Sequence, residues 1–248
     1  MQSLVFTDLD DTLFQTLRKC GDHALADLDP RAYLKDGSII SYATSKQNWL
    51  WQWINHQSHV IPVTARSFDA LTRVDLPFQA EAILNHGAVI LDKNRQINLE
   101  WHDYMTNLLP PYAEALADLW HAILAHTHQD SALKPRLIED FGIDWYGVIK
   151  HADGDEAALD NLRQSVVMTH DTVTSGLLYC HFNGNNLAVL PKIIGKAYAV
   201  NYLIEYYGKH FDQFTTIGIG DSETDLPFMS LCDYAMVPKN TQLRAMFA

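Results

Sequence analysis

The stretch LVFTDLDDTL, residues 4–13, decides the fold class of this chain. Its first four residues form an apolar and β-branched run, which is typical of a buried strand. The run leads directly into Asp8 and Asp10, and burying a carboxylate is costly unless a metal ion or a partner compensates its charge. Open α/β folds bind ligands at the carboxyl ends of their strands, so the stretch predicts a site at such a sheet edge. The alternative is a strand followed by a polar turn, with residues 10–12 capping a helix.

Three later segments repeat this pattern of an apolar run that ends in a polar or acidic residue. They are residues 60–64, 82–85 and 216–221. Helical patterns lie between them, and one begins at a capping box on Thr44 and runs to about Gln57, with Trp49 and Trp53 expected to pack into the core. Strands that alternate with helices predict βαβ units and a doubly wound, Rossmann-like parallel sheet.

The middle of the chain has a different pattern of predicted elements. Its predicted elements are a hairpin-like run over 91–97, a helix over 111–125, strands over 145–149 and 177–182, and a helical pattern over 156–166. These elements predict an α+β module over 88–186, inserted into a core made of 1–87 and 187–248. The polar segment 18–45, with a hairpin signal at Asp36-Gly37, is either a flap over the site or a surface loop.

Composition and charge limit the possible partners. The chain has 248 residues, 18 of them basic and 30 acidic, for a net charge of -12, which argues against a nucleic-acid partner. A small phosphorylated ligand stays compatible with this charge, because a bound cation can reverse the local field. Three cysteines without CxxC spacing indicate reduced thiols. With neither a signal peptide nor a membrane-length apolar run in view, we expect a cytoplasmic protein with no membrane partner.

The acidic residues at the strand ends suit phosphoryl-transfer chemistry. Asp8 can act as a carboxylate nucleophile that forms an acyl-phosphate. Asp10 lies on the same side of an extended chain and can serve as general acid and then as general base. Asp221 ends another predicted strand and adds a third carboxylate, and oxygen ligands of this kind suit Mg²⁺.

Three further residues complete this set. The hydroxyl of Thr64 and nearby backbone N–H groups can cradle a phosphate. Lys196 supplies a positive charge for the non-bridging oxygens. Asp225 follows Asp221 by one helical turn and could orient Lys196 or a metal-bound water.

In chain order, these residues resemble the four motifs of the haloacid dehalogenase-like superfamily. The motifs are DLDDT at 8–12, Thr64, Lys196 and GDSETD at 220–225. The insertion between the second and third motifs is similar to the large α+β cap of the sugar-phosphatase branch, including Cof-type members. The run FNGNNLAVLP at 182–191, followed by GKA at 195–197, resembles sucrose-phosphate and mannosyl-phosphoglycerate phosphatases.

The resemblance implies a Mg²⁺-dependent phosphatase that acts on a sugar phosphate or a phosphorylated sugar acid through an aspartyl-phosphate. It implies catalytic roles for Asp8 and Asp10, and metal binding by these two residues and Asp221, with Asp225 outside the inner ligands. It also implies that the cap selects the substrate. The implied phosphate-binding residues are Thr64, Ala65, Arg66 and Lys196. A phosphomutase and a non-catalytic phosphometabolite-binding protein are the alternatives.

Several positions depart from the family pattern or compete for a role. Ala65 and Asp11 stand where relatives often have glycine, and Thr224 stands where many have asparagine.

Lys192 competes with Lys196 for the phosphate, and Arg66 reaches either substrate or an ion pair. His121, His126 and His128 lack a fourth ligand at good spacing, so solvated histidines are a better interpretation than zinc. Candidates in the cap are Arg136, Lys150, His181 and Asn183.

Overall fold

The computed structural model describes residues 2–128 and 130–246. The strands are β1 (Gln2–Thr7), β2 (Asp29–Tyr33), β3 (Ile39–Ala43), β4 (His59–Pro62), β5 (Ala82–Leu84), β6 (Val89–Leu91), β7 (Leu133–Asp140), β8 (Ile143–His151), β9 (Leu178–Phe182), β10 (Leu187–Pro191), β11 (Phe214–Ile219) and β12 (Tyr234–Met236). The α-helices are α1 (Ser45–Gln57), α2 (Phe68–Leu71), α3 (Leu99–Leu108), α4 (Pro110–Thr127), α5 (Glu156–Leu162), α6 (Asp171–Thr174), α7 (Lys196–His210), α8 (Leu226–Met229) and α9 (Gln242–Ala245). Short 3₁₀ segments cover Leu17–Cys20, Leu25–Asp27 and Asn85–Gly87, and a π-helix covers Arg163–Val167. Within these described residues, no helix is both long and apolar enough to cross a bilayer.

The chain forms two compact units. The first comprises Met1–Leu99 and Gly195–Ala248, and the second comprises Glu100–Ile194. Both boundaries lie later in the chain than the 88–186 insertion expected from the sequence. The hairpin of β5 and β6 belongs to the first unit, whereas β10 belongs to the second because it pairs with β8 and β9.

A parallel sheet forms the centre of the first unit. Its strand order is β12-β11-β1-β4, and β1 pairs in parallel with β11 and β4. Apolar side chains of β1, such as Leu4 and Phe6, are fully buried, which explains why this segment forms a central strand. Because the strands are parallel, their carboxyl ends meet at one edge of the sheet, and Asp8 follows β1 at that edge. The predicted α/β core is confirmed.

Helix α1 begins as its sequence predicts but packs differently. Thr44 and Gln47 form a reciprocal capping box. Trp51 is buried, whereas Trp49 and Trp53 are 65% and 50% exposed and stack on each other at 6.1 Å between ring centroids. The expected core packing of Trp49 and Trp53 is therefore wrong. These residues are four positions apart and share one helix face, which stays largely exposed.

The second unit is an α+β module. Its antiparallel sheet has the order β7-β8-β10-β9, and α4 and α5 contribute side chains such as Leu119, Ile123 and Leu159 to its core. The predicted helix over 111–125 is present as α4. The helical pattern over 156–166 is split between α5 and the π-helix that follows.

The polar segment after the first motif contains two of the 3₁₀ turns and a hairpin. Strands β2 and β3 are antiparallel, with Asp29 opposite Ala43, and the predicted turn at Asp36-Gly37 connects them. The backbone of Gln15, just before this segment, exchanges hydrogen bonds of 2.9 and 2.7 Å with that of Tyr42 in β3. These bonds hold the hairpin against the chain that follows the first motif. Its function as a flap stays a prediction.

Candidate active site

The carboxyl ends of β1 and β11 bring the predicted acids together. The backbone N–H of Asp8 donates to the carbonyl of Ile219, the last residue of β11, at 2.8 Å. Carboxylate oxygens of Asp8, Asp221 and Asp225 lie within 4.8 Å of one another. Residues separated by more than 200 positions in the chain thus share one cluster, all within the first unit.

Lys196 connects two of these acids. Its Nζ lies 2.6 Å from Oδ1 of Asp8 and 2.6 Å from Oδ1 of Asp225, and all three side chains are buried. Burial alone would lower the pKa of Lys196, but the charges of the two carboxylates outweigh it and raise that pKa. Burial also raises the pKa of Asp8 well above its usual value, against the opposing effect of Lys196. The lysine therefore stays charged in this cluster.

A close backbone contact sets the position of Lys196, the first residue of α7. Gly87 ends the turn after β5 with a φ of +103°, in the region that favours glycine. A Cβ at this position would lie 2.5 Å from the carbonyl oxygen of Gly195. The turn therefore packs directly against the backbone that begins α7, and only glycine leaves room for it.

Asp225 is fully buried, and both of its oxygens are already engaged. Oδ1 accepts from Lys196, while Oδ2 accepts from the backbone N–H groups of Asp221 and Ser222 at 3.1 and 3.0 Å and from the Ser222 hydroxyl at 2.7 Å. Burial raises its pKa, but Lys196 and Ser222 outweigh this and lower it overall. Such a carboxylate is suited to orienting its neighbours rather than to binding a metal directly.

The loop around Asp225 contains two residues of the fourth motif to which the sequence analysis gave no role of their own. A Cβ on Gly220 would lie 2.4 Å from the Cβ of Asp225, so this position requires glycine. Ser222 and Asp225 bond reciprocally, since the Asp225 N–H also donates to the Ser222 carbonyl at 2.9 Å. The S-x-x-D spacing, which resembles a capping box, was the available signal.

Asp221 is the acid of the cluster that most lacks a compensating charge. Burial raises its pKa to about 7, and the charges of Asp225 and Asp11 act in the same direction. The positive charges of Lys196 and Lys19 oppose this shift without cancelling it. A cation bound beside Asp221 would therefore relieve an unfavourable burial of negative charge.

The donor set fits Mg²⁺. The carboxylates of Asp8 and Asp221 are hard oxygen donors of the kind that Mg²⁺ prefers. The backbone carbonyl of Asp10 is a donor of the same kind, and its part in the site stays a prediction. Among the residues that the structure describes, the acids of this cluster are the only group of histidine, cysteine or acidic side chains close enough to share an ion. His121, His126 and His128 do not belong to such a group.

Asp10 has a different partner from Asp8. Arg66 donates to both of its carboxylate oxygens, from Nε at 2.8 Å and from Nη2 at 2.7 Å. The Arg66 side chain is 12% exposed and its Cζ lies 5.2 Å from the ring centroid of Phe14, while Asp10 is half exposed. Arg66 therefore forms an ion pair, but with a half-exposed partner rather than in the core, and its contact with substrate stays a prediction.

Thr64 and Ala65 lie in the turn that holds Arg66. The hydroxyl of Thr64 accepts from the Arg66 N–H at 3.1 Å, and the Thr64 backbone bonds to Ile83 and His86 at 2.9 and 3.0 Å. The Thr64 side chain is buried and Ala65 is exposed. Their contacts with a phosphate stay a prediction.

The remaining candidates lie in the second unit. The ammonium of Lys192 lies 5.7 Å from the ring centroid of Tyr179, whereas Lys196 contacts Asp8, so the geometry favours Lys196 for the site. Arg136 lies on β7, Lys150 on β8 and His181 on β9, and Asn183 follows β9. Substrate selection by these four residues stays a prediction.

Comparison with known proteins yields a family and several similar folds. Residues 5–245 match the haloacid dehalogenase-like hydrolase family. The sucrose-phosphatase of Synechocystis sp. PCC6803, solved with sucrose and phosphate, has a TM-score of 0.56 and 15% identity over 99% of this chain and 86% of its own. The C-terminal domain of C. albicans trehalose-6-phosphate phosphatase has a TM-score of 0.56 and 14% identity over 92% and 73%. No curated protein matches the sequence. At these identities the structural likeness shows the fold alone.

Proposed function

The chain belongs to the haloacid dehalogenase-like hydrolases, and from this premise we propose that it hydrolyses phosphomonoesters of small metabolites through an aspartyl-phosphate on Asp8. One observation carries the proposal. Two carboxylates at the end of the same strand are held by different cations, Asp8 by buried Lys196 and Asp10 by Arg66. This separation suits one acid for nucleophilic attack and the other for proton transfer.

In the first step, a carboxylate oxygen of Asp8 attacks phosphorus, and the bond between phosphorus and the ester oxygen breaks. Asp10 donates its proton to the departing alkoxide, which leaves as an alcohol. In the second step, Asp10 takes a proton from water, whose oxygen attacks phosphorus and releases inorganic phosphate and free Asp8. The bidentate contact with Arg66 holds the carboxyl group of Asp10 in one orientation.

Two groups support the transferring phosphoryl. Lys196 keeps its charge and contacts Asp8, so it lies where negative charge develops on the non-bridging oxygens. We expect the turn at Thr64 and Ala65 to contact the same group. Asp8, Asp221 and the Asp10 carbonyl would hold Mg²⁺, which when bound neutralises phosphate charge and orients the ester.

We place the substrate among sugar phosphates or phosphorylated sugar acids, and the protein in the cytoplasm. Support for the substrate class comes from the run at 182–191 and from the two similar folds named above, both of which are sugar-phosphate phosphatases. An acidic chain with a candidate divalent-cation site is compatible with a small phosphorylated ligand.

The test is phosphate release by the purified protein with Mg²⁺, first from p-nitrophenyl phosphate and then from a panel of sugar phosphates. We expect release with the wild type, loss in Asp8→Asn, and normal release in Asp69→Asn, which changes an exposed acid paired with Arg73. Isomerised substrate without free phosphate would indicate a mutase instead. Binding of the panel without any turnover would indicate a non-catalytic protein.

A further inference from the structure

Lys19 is a third cation beside the motif that carries Asp8 and Asp10. It lies in the 3₁₀ segment Leu17–Cys20, and its ammonium contacts the carboxylate of Asp11. The Lys19 side chain is 46% exposed. Within the described structure, Asp11 accepts one of its three N–H donors, so two remain available to a ligand.

The backbone of Lys19 is held in place. The Gln15 side chain donates to the Lys19 carbonyl at 2.7 Å, and the Lys19 N–H donates to the Thr16 carbonyl at 2.8 Å. Gln15 is itself bonded through its backbone to Tyr42 of β3. The lysine therefore extends from an anchored segment, which lowers the entropy cost of using its charge for recognition.

Asp11 holds this charge next to the first motif. Its φ of +63° lies in the left-handed region, which is unfavourable for a residue with a Cβ, and its N–H donates to the Phe14 carbonyl at 2.7 Å. The tight turn places Asp11 directly after Asp10. Asp11 and Lys19 are in direct contact, so the ammonium of Lys19 lies beside the residue that follows Asp10.

The other two cations of the site, Lys196 and Arg66, are nearly buried and already contact carboxylates. The Lys196 side chain is 7% exposed and bridges two carboxylates, and the Arg66 side chain is 12% exposed and uses two donors on Asp10. Lys19 differs from both in the exposure of its side chain. It is thus the cation of this set that can meet a group arriving from solvent.

We propose that Lys19 binds a second anionic group of the substrate, so that the enzyme prefers phosphomonoesters whose alcohol carries a carboxylate or another phosphate. This inference rests on the proposed phosphatase function. The ester oxygen must meet Asp10, its proton donor, so the departing alcohol begins beside that residue. Asp11 follows Asp10 in the chain and contacts Lys19. An anion on the alcohol can therefore replace Asp11 as the partner of Lys19, or share the lysine with it.

The test uses pairs of phosphomonoesters that differ by one carboxylate: glucose 6-phosphate with 6-phosphogluconate, and glycerol 3-phosphate with 3-phosphoglycerate. We expect a lower KM for the acidic member of each pair. Lys19→Ala should raise that KM about tenfold, as for loss of one exposed charge-assisted contact. The same variant should change kcat by less than twofold, and it should change the KM of the neutral member by less than twofold. Lys19→Arg should keep most of the preference.

Lys35→Ala is the matched control, because Lys35 is an exposed lysine between β2 and β3 that pairs with Asp69. It should leave both KM values unchanged. Equal effects of Lys19→Ala on both members, or no preference in the wild type, would overturn the inference while phosphate release still upholds the phosphatase. If no ester is hydrolysed, the proposed function fails, and calorimetric titration of 6-phosphogluconate into wild type and Lys19→Ala decides the inference separately.

Discussion

At the scale of single residues, the proposed chemistry depends on how two neighbouring aspartates are held. Asp8 is buried against Lys196, while Asp10 is half exposed and bound at both oxygens by Arg66. Both residues follow the end of β1, and the two cations give them different environments. Substitutions at these positions should therefore have different consequences.

Asp8→Asn should abolish turnover, because an amide cannot form the acyl-phosphate. Asp10→Asn should lower kcat by roughly 10²–10⁴-fold, the usual contribution of a general acid–base group. Phosphate release measures both effects, and beryllofluoride should attach to Asp8 in the wild type. Attachment to another residue would contradict the assignment of the nucleophile.

Arg66→Lys tests the role of the bidentate contact with Asp10. A lysine keeps the charge but cannot donate to both oxygens in one plane, so Asp10 would be less well oriented. We expect kcat to fall by roughly tenfold, with phosphoenzyme accumulating because its hydrolysis needs Asp10 as a base. Acid-quench trapping of labelled substrate measures the accumulation. Arg73→Lys, at an arginine that pairs with Asp69, is the control, and an equal loss there would argue against a specific role.

The sequence was most informative about residues that end strands. Asp8, Thr64 and Asp221 could be predicted to converge because each follows an apolar run and parallel strands share an edge. The Asp10–Arg66 pair stayed undecided, because no local pattern shows which way a long side chain extends. The contacts of Ser222 with Asp225 were missed because the loop's course depends on the close approach at Gly220.

At the scale of elements, the turn after β5 is expected to set the position of α7 and so of Lys196. Gly87→Ala would add a Cβ 2.5 Å from the Gly195 carbonyl in a left-handed conformation, so the start of the helix must move. We expect a lower unfolding midpoint and at least a tenfold lower kcat, because a shift of about 1 Å in a catalytic group can cost 10²-fold. Gly37→Ala is the matched control for Gly87→Ala. Gly37 also has a positive φ, +84°, but there is open space around it.

Gly37→Ala should therefore destabilise the protein by about 1 kcal/mol from backbone strain and leave kcat unchanged. Chemical denaturation and phosphate release on the same preparations separate the two effects. Equal losses of kcat in both variants would show that strain, rather than contact with α7, is responsible.

Elements with local signals were predictable, and their packing was not. The capping box at Thr44 specifies the start of α1 from four residues. Which face of that helix is covered depends on the sheet, so Trp49 and Trp53 were assigned to the core although they are exposed. Strand β10 was assigned to the first unit for a similar reason. It belongs to the second unit because it pairs with β8 and β9, and that pairing depends on distant segments.

At the scale of the whole molecule, the chain concentrates acids where the strands end. A net charge of -12 accompanies a cluster in which Asp8 and Asp221 both have raised pKa values. A raised pKa means that the folded state binds more protons than the unfolded chain, so each of these groups lowers stability as pH rises through the range between its two pKa values. Asp225, with a lowered pKa, has the opposite effect. A divalent cation can take the place of the proton.

Magnesium should therefore stabilise the protein more strongly at high pH than at low pH. Without metal, the pKa of Asp221 lies at about 7, so most molecules carry a proton on this ligand at pH 5.5 and few do at pH 8. Because Mg²⁺ must displace that proton, its affinity should fall about tenfold per pH unit below 7, or about 30-fold at pH 5.5. Thermal unfolding with and without Mg²⁺ measures the effect as a larger rise in Tm at pH 8. Asp221→Asn should remove most of the rise at both pH values, whereas Asp69→Asn should keep it. A rise of equal size at both pH values, or one that persists in Asp221→Asn, would mean that the ion binds elsewhere.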